Sequence, residues 1–304
     1  MSRALLALLL AAAAAGGWLL LSGDERPTPR DVFEPALAPA SPYSPAAVAL
    51  EDADRLALRF RKPPRAGLLF DVSSGEVLWR RKPLEVRPVA SLTKMMTALV
   101  VVTHTRARER ARIPGAALKY EGRGVGVLKR GKRIPVDALL SSVLITSAND
   151  AAIAIAHHVA GSVPAFAALM NERARLLGLG CTRFVSPHGV EDANRSCAAD
   201  LAALARIAMA SRRIARIARI AYTQIRAPVK GKRLHLATTN PLLASGYRGT
   251  VGLKTGFTEA AGRCLVAIVR RHGRTLGAVL LGSHDPGRQA KRLFELAFRK
   301  TSAR

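Results

Sequence analysis

RCLVAIVRRHGRTLGAVLLGS, residues 263–283, contains two apolar runs that are separated by a short polar segment. The segment includes His272 and Gly273, and a glycine at this place suits the tight turn that joins two antiparallel strands. Residues with strand propensity, such as Val266 and Val279, lie in both runs. The stretch therefore predicts a β-hairpin in the C-terminal third of the chain.

A second hairpin is predicted nearer the N-terminus. In AGLLFDVSSGEVLWRRK, residues 66–82, two β-rich runs flank Ser73–Gly75. Residues 249–258 are strand-like as well, and residues 285–300 have the amphipathic pattern of a closing helix. We expect the terminal strands to share one antiparallel sheet with helices on both faces, which is an α+β fold.

The part of the chain between the two hairpins is predicted to be mainly helical. Residues 91–104 and 162–180 each indicate one helix, and residues 136–161 indicate two helices that meet near Ser147–Asn149. Residues 198–220 also have a helical pattern, in which Arg212, Arg213, Arg216 and Arg219 recur at helical spacing. Such a basic stripe is compatible with lipid headgroups or with a solvated helix face.

The first residues predict export. MSRALLALLLAAAAAGGWLLLSG has a basic start and then an apolar run, so residues 1–22 indicate a signal peptide or an N-terminal membrane anchor. No small-x-small cleavage site closes the run well, which favours an anchor. Residues 23–50 are rich in Pro and Ala, which is typical of an extended linker. Residues 51–304 are expected to form a single domain.

The formal net charge of +27 comes mostly from arginine. Nucleic acid is not expected as a partner, because the chain has neither a zinc-finger spacing nor an RNA-binding aromatic motif, and few aromatic residues for base stacking. An anionic cell-surface polymer or an anionic lipid is a candidate partner. An ordinary solvated surface is the alternative.

The chain has three cysteines, Cys181, Cys197 and Cys264. In an oxidising compartment one pair can form a disulfide and leave one thiol free, and the sequence does not identify the pair. Three reduced, buried thiols are the alternative.

Ser91 and Lys94 are a candidate nucleophile and base. Residues three apart share a helix face, so the lysine amine can come near the serine hydroxyl. A serine needs an adjacent base, and a lysine serves as one only if burial or a second cation lowers its pKa. The N-terminus of a helix also offers free N–H groups to a developing oxyanion. A helix start that carries one charge is the simpler interpretation of this pair alone.

Two further segments carry polar groups that suit the same chemistry. Ser147 and Asn149 lie at a turn between two apolar helices, where they either face a cleft or serve as helix caps. Lys254, Thr255 and Gly256 lie on a predicted strand. The cation and the hydroxyl suit a carboxylate, and the glycine permits the close approach of another backbone. A charged edge strand is the alternative interpretation.

Ser-x-x-Lys, Ser-x-Asn and Lys-Thr-Gly each occur once and in this order, which is the motif set of penicillin-binding proteins and class A β-lactamases. With flanks such as VASLTKMMT and GLKTGFTEAAGRCLVA, residues 65–300 resemble the serine-type D-Ala-D-Ala carboxypeptidases, the low-molecular-mass penicillin-binding proteins of peptidase family S11. The resemblance implies a β-lactamase/transpeptidase-like fold, with a five-stranded antiparallel sheet flanked by helices and an all-helical subdomain. The apolar run in residues 1–22 separately predicts a domain outside the cytoplasmic membrane, either anchored to its outer face or secreted to the periplasm or cell wall.

The resemblance assigns roles to the motif residues. Ser91 would be acylated by a peptidoglycan stem peptide that ends in D-Ala-D-Ala, Lys94 would be the base, and Ser147 would pass a proton to the leaving amine. Asn149 would hold the acyl side chain. β-Lactams would acylate the same serine, and no cofactor or metal is implied.

The remaining implied residues bind substrate. Lys254 and Thr255 would bind the terminal carboxylate, and Gly256 would let the strand approach. The backbone N–H of Phe257 would form the oxyanion hole together with that of Ser91. Arg288 matches a family arginine near the carboxylate, and a surface charge is its alternative.

Other activities on this scaffold are considered as alternatives. A D,D-endopeptidase would use the same residues. A class A β-lactamase also needs a general base in a Glu-x-x-Leu-Asn context, which this chain lacks. A non-catalytic wall-binding or penicillin-sensing protein is disfavoured because all the motif positions are intact. A metallo-carboxypeptidase is excluded because His157 and His158 diverge on a helix and no His-Glu-x-x-His is present.

Overall fold

A five-stranded antiparallel sheet organises the computed structural model, which describes residues 47–50, 54, 56–120 and 122–302. The strands are β1 (Ala66–Asp71), β2 (Val77–Arg81), β3 (Arg87–Pro88), β4 (Arg110–Arg112), β5 (Arg133–Pro135), β6 (Arg195–Ser196), β7 (Tyr222–Arg226), β8 (Arg233–Ala237), β9 (Thr250–Thr258), β10 (Gly262–Arg271) and β11 (Arg274–Ser283). The spatial order in the sheet is β2-β1-β11-β10-β9. Both predicted hairpins are confirmed, and β1 pairs with β11 to join them.

Helices cover both faces of the sheet, as the α+β prediction requires. The helices are α1 (Lys94–His104), α2 (Gly115–Lys119), α3 (Val136–Ile145), α4 (Asn149–Ala160), α5 (Val163–Leu176), α6 (Ala198–Ala210), α7 (Arg212–Ala218), α8 (Pro241–Ala244) and α9 (Pro286–Ser302). The predicted segment 1–22, most of the linker at 23–50 and the start of the domain predicted at 51–304 lie outside the described residues.

The alternation of side chains along each strand divides the core into two layers. Leu68 and Phe70 of β1 point into the larger core, which the helices of the middle of the chain complete. Leu69 and Leu280 point to the opposite face and contact a smaller core that contains Phe294 of α9. Burial of each such side chain contributes about 1.5–3 kcal/mol, so both layers hold the sheet in place.

Ser91 lies in a single turn of 3₁₀ helix, Ala90–Thr93, that precedes α1. The sequence predicted one helix that begins near Ser91, and the tighter turn is the difference. Residues Lys94 to Val101 of α1 are all buried, because the helix runs through the larger core with an almost wholly apolar sequence. The lysine is thereby carried into the interior beside the serine.

The turn between α3 and α4 is as predicted. It contains Ser147, whose φ of 64° places it in the left-handed region that non-glycine residues seldom adopt. The backbone N–H of Ala148 donates to Ser142 O at 3.1 Å, which fixes the turn. This conformation lets the chain reverse between two buried helices while it presents polar residues at their junction.

Ser211 divides the long arginine-rich helix that was predicted at 198–220. Its hydroxyl accepts a hydrogen bond from the backbone N–H of Ile214 and caps α7 after α6 ends at Ala210. The predicted arginine stripe is therefore not continuous. Arg213 turns inward and donates to Asp137 at 2.6 Å. The other three arginines of the stripe are exposed: Arg212, Arg216 and Arg219.

Cys181 and Cys197 form a disulfide whose Cα atoms lie 5.6 Å apart, and Cys264 is a buried free thiol. The bridge links the loop after α5 to the start of α6. Of the two alternatives left open by the sequence, one pair and one free thiol is the arrangement observed. Burial raises the pKa of the Cys264 thiol to about 11, so this thiol is a weak nucleophile.

Removal of the disulfide is expected to destabilise the protein. The bridge closes a loop with a sequence separation of 16, and a loop of this length corresponds to about 3 kcal/mol of unfolding free energy. Cys181→Ala/Cys197→Ala should lower the unfolding free energy by about this amount in urea titrations. In denaturant without reductant, one of the three thiols should react with a thiol reagent. Three reactive thiols would contradict the bridge.

In the described part of the chain, no single helix is long and apolar enough to cross a membrane. Only α4 and α5 taken together reach that length and composition, and these helices meet at an angle of 81°.

Candidate active site

A cavity of about 1060 Å³ lies between the edge strand β9 and the junction of α3 and α4. Six of the nine predicted site residues line it: Ser91, Ser147, Asn149, Thr255, Gly256 and Phe257. Lys94 and Lys254 lie behind this lining and are 0% and 1% exposed. The three motifs, which are far apart in sequence, therefore meet at one place.

Lys94 is held by three oxygen atoms. Its Nζ lies 2.9 Å from Ser91 Oγ, 2.6 Å from Asn149 Oδ1 and 2.7 Å from the backbone carbonyl oxygen of His188. An ammonium group can donate to all three oxygens, and a neutral amine can donate to two of them and accept from the serine hydroxyl. The amine is held next to the serine by its other two partners. Asn149 lies at the buried junction of α3 and α4, and His188 lies in the loop of residues 186–194, which we call the His188 loop.

The environment of Lys94 favours the neutral amine. Burial lowers its pKa well below the usual value, and the positive charges of Lys254 and Arg123 lower it further. The carboxylates of Glu191 and Asp150 act in the opposite direction but do not outweigh these effects. A lysine with a strongly lowered pKa next to a serine hydroxyl meets the requirement for a general base.

Asn149 joins the helical side of the cavity to the lysine. Its Oδ1 accepts from Lys94, and its Nδ2 donates to the hydroxyl of Tyr120 at 2.9 Å, so the orientation of the amide is determined by both contacts. Ser147 is 3% exposed and lines the same cavity. In the described part of the chain, no hydrogen bond joins its hydroxyl to either lysine.

Strand β9 brings the third motif against the 3₁₀ turn. A Cβ atom on Gly256 would lie 3.0 Å from the backbone N of Ser91 and 3.0 Å from Val89 O, so only glycine fits without a shift. Lys254 Nζ donates to Thr255 O at 2.8 Å, and burial, followed by the charge of Arg123, lowers the pKa of Lys254 to about 7. The side chain of Phe257 is exposed at the cavity mouth.

The His188 loop supplies a backbone contact that the sequence did not indicate. Ser186 donates to the Glu191 carboxylate, and Asn194 Nδ2 donates to Glu191 O at 2.9 Å, which closes the loop on itself. Burial lowers the pKa of the His188 ring to about 4, so the ring is neutral near pH 7. The group of His188 that contacts the lysine is its backbone carbonyl oxygen.

Arg123 is a further cavity residue that sequence reasoning missed. Its loop is held by Asp150, whose carboxylate accepts from the backbone N–H groups of Val125 and Gly126 at 3.0 and 3.1 Å. The backbone N–H of Asn149 donates to Arg123 O at 2.8 Å. The guanidinium is exposed at the rim and forms no ion pair with any described carboxylate. No motif surrounds this arginine, so only the folded loop reveals its position.

Arg288 is the one predicted site residue that the structure does not bring to the cavity. Its side chain is 89% exposed at the start of α9 and lies 3.7 Å from Asp285. Arg263 lines the cavity together with Asp285, Pro286 and Gly287. A substrate role for Arg288 stays a prediction from the resemblance.

Comparison with known proteins identifies the family. The family model described as D-alanyl-D-alanine carboxypeptidase, peptidase S11, matches residues 63–285. A D-alanyl-D-alanine endopeptidase of Escherichia coli (strain K12) is 32% identical over 248 residues, which covers 77% of this chain and 76% of that protein. The D-alanyl-D-alanine carboxypeptidase DacF of Bacillus subtilis (strain 168) is 28% identical over 84% of this chain and 67% of its own length.

A solved structure has the same fold. The D-alanyl-D-alanine carboxypeptidase from Mycobacterium tuberculosis H37Rv superimposes with a TM-score of 0.75 at 28% sequence identity, over 82% of this chain and 96% of that chain. The five-stranded sheet and the helical part that carries Ser147 are the architecture that the motif set implied. The chain is therefore a serine hydrolase that belongs to peptidase family S11, the D-alanyl-D-alanine carboxypeptidases.

Proposed function

We propose that this chain removes the terminal D-Ala from peptidoglycan stem peptides through an acyl-enzyme on Ser91. The observation that carries the proposal is the contact of 2.9 Å between Lys94 Nζ and Ser91 Oγ. In the neutral amine, the two N–H bonds are directed to Asn149 Oδ1 and His188 O. The lone pair then faces the Ser91 hydroxyl, which is the orientation that a base requires.

Acylation then follows from these positions. Ser91 Oγ attacks the carbonyl carbon of the penultimate D-Ala as Lys94 takes the hydroxyl proton, and the C–N bond to the terminal D-Ala breaks. Ser147 is the group that passes a proton to the leaving amine. The backbone N–H groups of Ser91 and Phe257 stabilise the oxyanion. The proton that Lys94 took is the one that Ser147 passes on, so the amine is neutral again. Lys94 then takes a proton from the water molecule that hydrolyses the ester and returns it to Ser91 Oγ, which restores the serine hydroxyl.

The third motif binds the free carboxylate of the substrate. Lys254 is buried, its pKa is about 7, and an arriving carboxylate would favour its charged form. The Thr255 hydroxyl lines the cavity and shares a hydrogen bond of 2.6 Å with the hydroxyl of Thr239. A cation and a hydroxyl at this edge support recognition of a chain terminus. Penicillin carries a carboxylate and a strained amide, so it should acylate the same serine.

The place of action is part of the proposal. The apolar run in residues 1–22 supports export, with the domain on the outer face of the cytoplasmic membrane or secreted to the periplasm or cell wall. Peptidoglycan lies in that compartment.

A product assay separates the two activities that this site supports. The protein is incubated with a diacylated Lys-D-Ala-D-Ala peptide and, separately, with a cross-linked muropeptide. Loss of one alanine from the first substrate supports the carboxypeptidase. Cleavage of the cross-link alone would support an endopeptidase, which the similarity to the Escherichia coli endopeptidase makes the second candidate. Cleavage of neither substrate would contradict both.

Arg123→Ala is expected to move the pH profile of acylation to higher pH. The positive charge of Arg123 lowers the pKa of both Lys94 and Lys254. Without it both values rise, so Lys94 becomes neutral only at higher pH and Lys254 stays charged to higher pH. Both limbs of the profile for labelled penicillin should therefore move upward. Arg123→Lys keeps the charge and should leave the limbs in place, and an unmoved profile in Arg123→Ala would contradict the coupling.

A further inference from the structure

A second concave site is formed by α6, α7 and the adjoining ends of the sheet strands. It has a volume of about 480 Å³ and shares no lining residue with the catalytic cavity. Five arginines line it: Arg206, Arg212, Arg216, Arg219 and Arg270. No aspartate or glutamate is among the lining residues that the structure describes. We call this site the arginine groove.

Neutral acceptors hold two of the five guanidinium groups. Arg206 donates from Nε, Nη1 and Nη2 to the carbonyl oxygens of Val72, Ala47 and Ser73, at 2.8, 2.6 and 3.0 Å. Arg270 Nε donates to Thr275 Oγ1 at 3.1 Å. Carbonyl and hydroxyl oxygens orient a guanidinium but carry no net charge. These two guanidinium groups are therefore fixed in position without a carboxylate at hydrogen-bond distance.

The carboxylates near the groove are already shared or engaged. Asp137 accepts hydrogen bonds from both Arg213 and Arg216, at 2.6 and 2.7 Å, so one negative charge faces two positive charges. Arg212 and Arg219 are exposed, and neither forms an ion pair with a carboxylate in the described part of the chain. Together these contacts leave an excess of positive charge around a concave surface.

We propose that the arginine groove binds the phosphate groups of a linear phosphodiester polymer. Planar guanidinium groups bind phosphate oxygens in pairs, and several arginines in one groove suit successive phosphates along a chain. The hydroxyls of Ser73 and Thr275 add donors, and Met209 and Val251 provide apolar contact for the carbon units between phosphates. A groove admits a chain, whereas a flat bilayer would contact only its rim.

The test is a binding titration with a fluorescent poly(glycerol phosphate) oligomer on the full-length protein. The variant Arg212→Ala/Arg219→Ala removes the two exposed arginines that no hydrogen bond or ion pair to a described residue holds, and binding should weaken about 10-fold or more. Arg59→Ala/Arg61→Ala is the matched control, because both residues are exposed, lie outside the groove and give the same change in net charge. The control should lose much less affinity.

Three further measurements separate phosphate recognition in the groove from attraction by net charge and from lipid binding. Arg212→Lys/Arg219→Lys keeps the charge but not the paired donors, so its affinity should lie between those of the native protein and the alanine variant. Equal weakening in the control variant would overturn the proposal in favour of general attraction by the net charge. Binding to phosphatidylglycerol vesicles without binding to the oligomer would also overturn it. Acylation by penicillin should be unchanged in every groove variant, which checks the fold and separates this site from the catalytic one.

Discussion

Ser91→Ala should abolish covalent attachment of labelled penicillin and lower peptide hydrolysis about 10⁴-fold or more. The hydroxyl is the only group at this position that can form the ester, and the neighbouring amine at Lys94 is positioned to take its proton. Without the oxygen, the remaining groups can bind the substrate but cannot form the intermediate. Mass spectrometry of the intact protein after exposure to penicillin measures the loss directly.

Ser141→Ala is a matched control for this prediction. Ser141 is buried, its hydroxyl donates to Asp137 O at 2.6 Å, and it lies outside the cavity lining. Labelled penicillin should attach to this variant to the same extent as to the native protein. Peptide mapping should find the penicilloyl group on the tryptic peptide that contains Ser91, and a label on any other serine would refute the assignment of the nucleophile.

Lys94→Ala should lower the rate of penicillin acylation by about 10²–10⁴-fold while the serine remains present. The amine is fully buried and contacts the Ser91 hydroxyl at 2.9 Å, and burial together with two nearby cations lowers its pKa well below the usual value. No other described side chain that contacts this hydroxyl can accept a proton. Stopped-flow measurement of the acylation rate gives the effect without interference from product release.

Two controls accompany the Lys94 variant. Lys119→Ala removes an exposed lysine from α2 and should leave the acylation rate unchanged. Addition of a small primary amine to Lys94→Ala should restore part of the rate, because the variant leaves space where the buried amine was. If Lys94→Ala is acylated at the native rate, a group other than Lys94 is the base.

Much of the fold was predictable because its signals are local. The hairpins at 66–82 and 263–283 were predicted from apolar runs around short turns, and the helix junction at Ser147–Asn149 from a polar break in an apolar pattern. The short strands β3 and β6 were not predicted. Their pairing joins Arg87 to Ser196, and a two-residue strand has no periodicity to detect.

The motifs of the candidate site were visible in the sequence, but its supporting contacts were not. A serine and a lysine three residues apart are predicted to lie close together on one face of an α-helix. In the structure they are also close, but the serine lies in a 3₁₀ turn and not in the α-helix. His188 contacts Lys94 through its backbone carbonyl oxygen. Every residue has this group, so the residue type at position 188 does not reveal the contact. The position of Arg123 depends on a loop whose backbone is held by Asp150 of helix α4. Such contacts arise only after distant segments have packed together.

The pairing of β1 with β11 has a consequence for the order in which the protein can fold. During synthesis, β1 and β2 leave the ribosome early, but the partner that completes the other side of β1 is the last strand to appear. Loops that join such distant segments close slowly, and unpaired strand edges are prone to aggregation in the meantime. The nascent hairpin therefore has an open edge through most of translation, and any chain released before β11 cannot assemble a complete sheet.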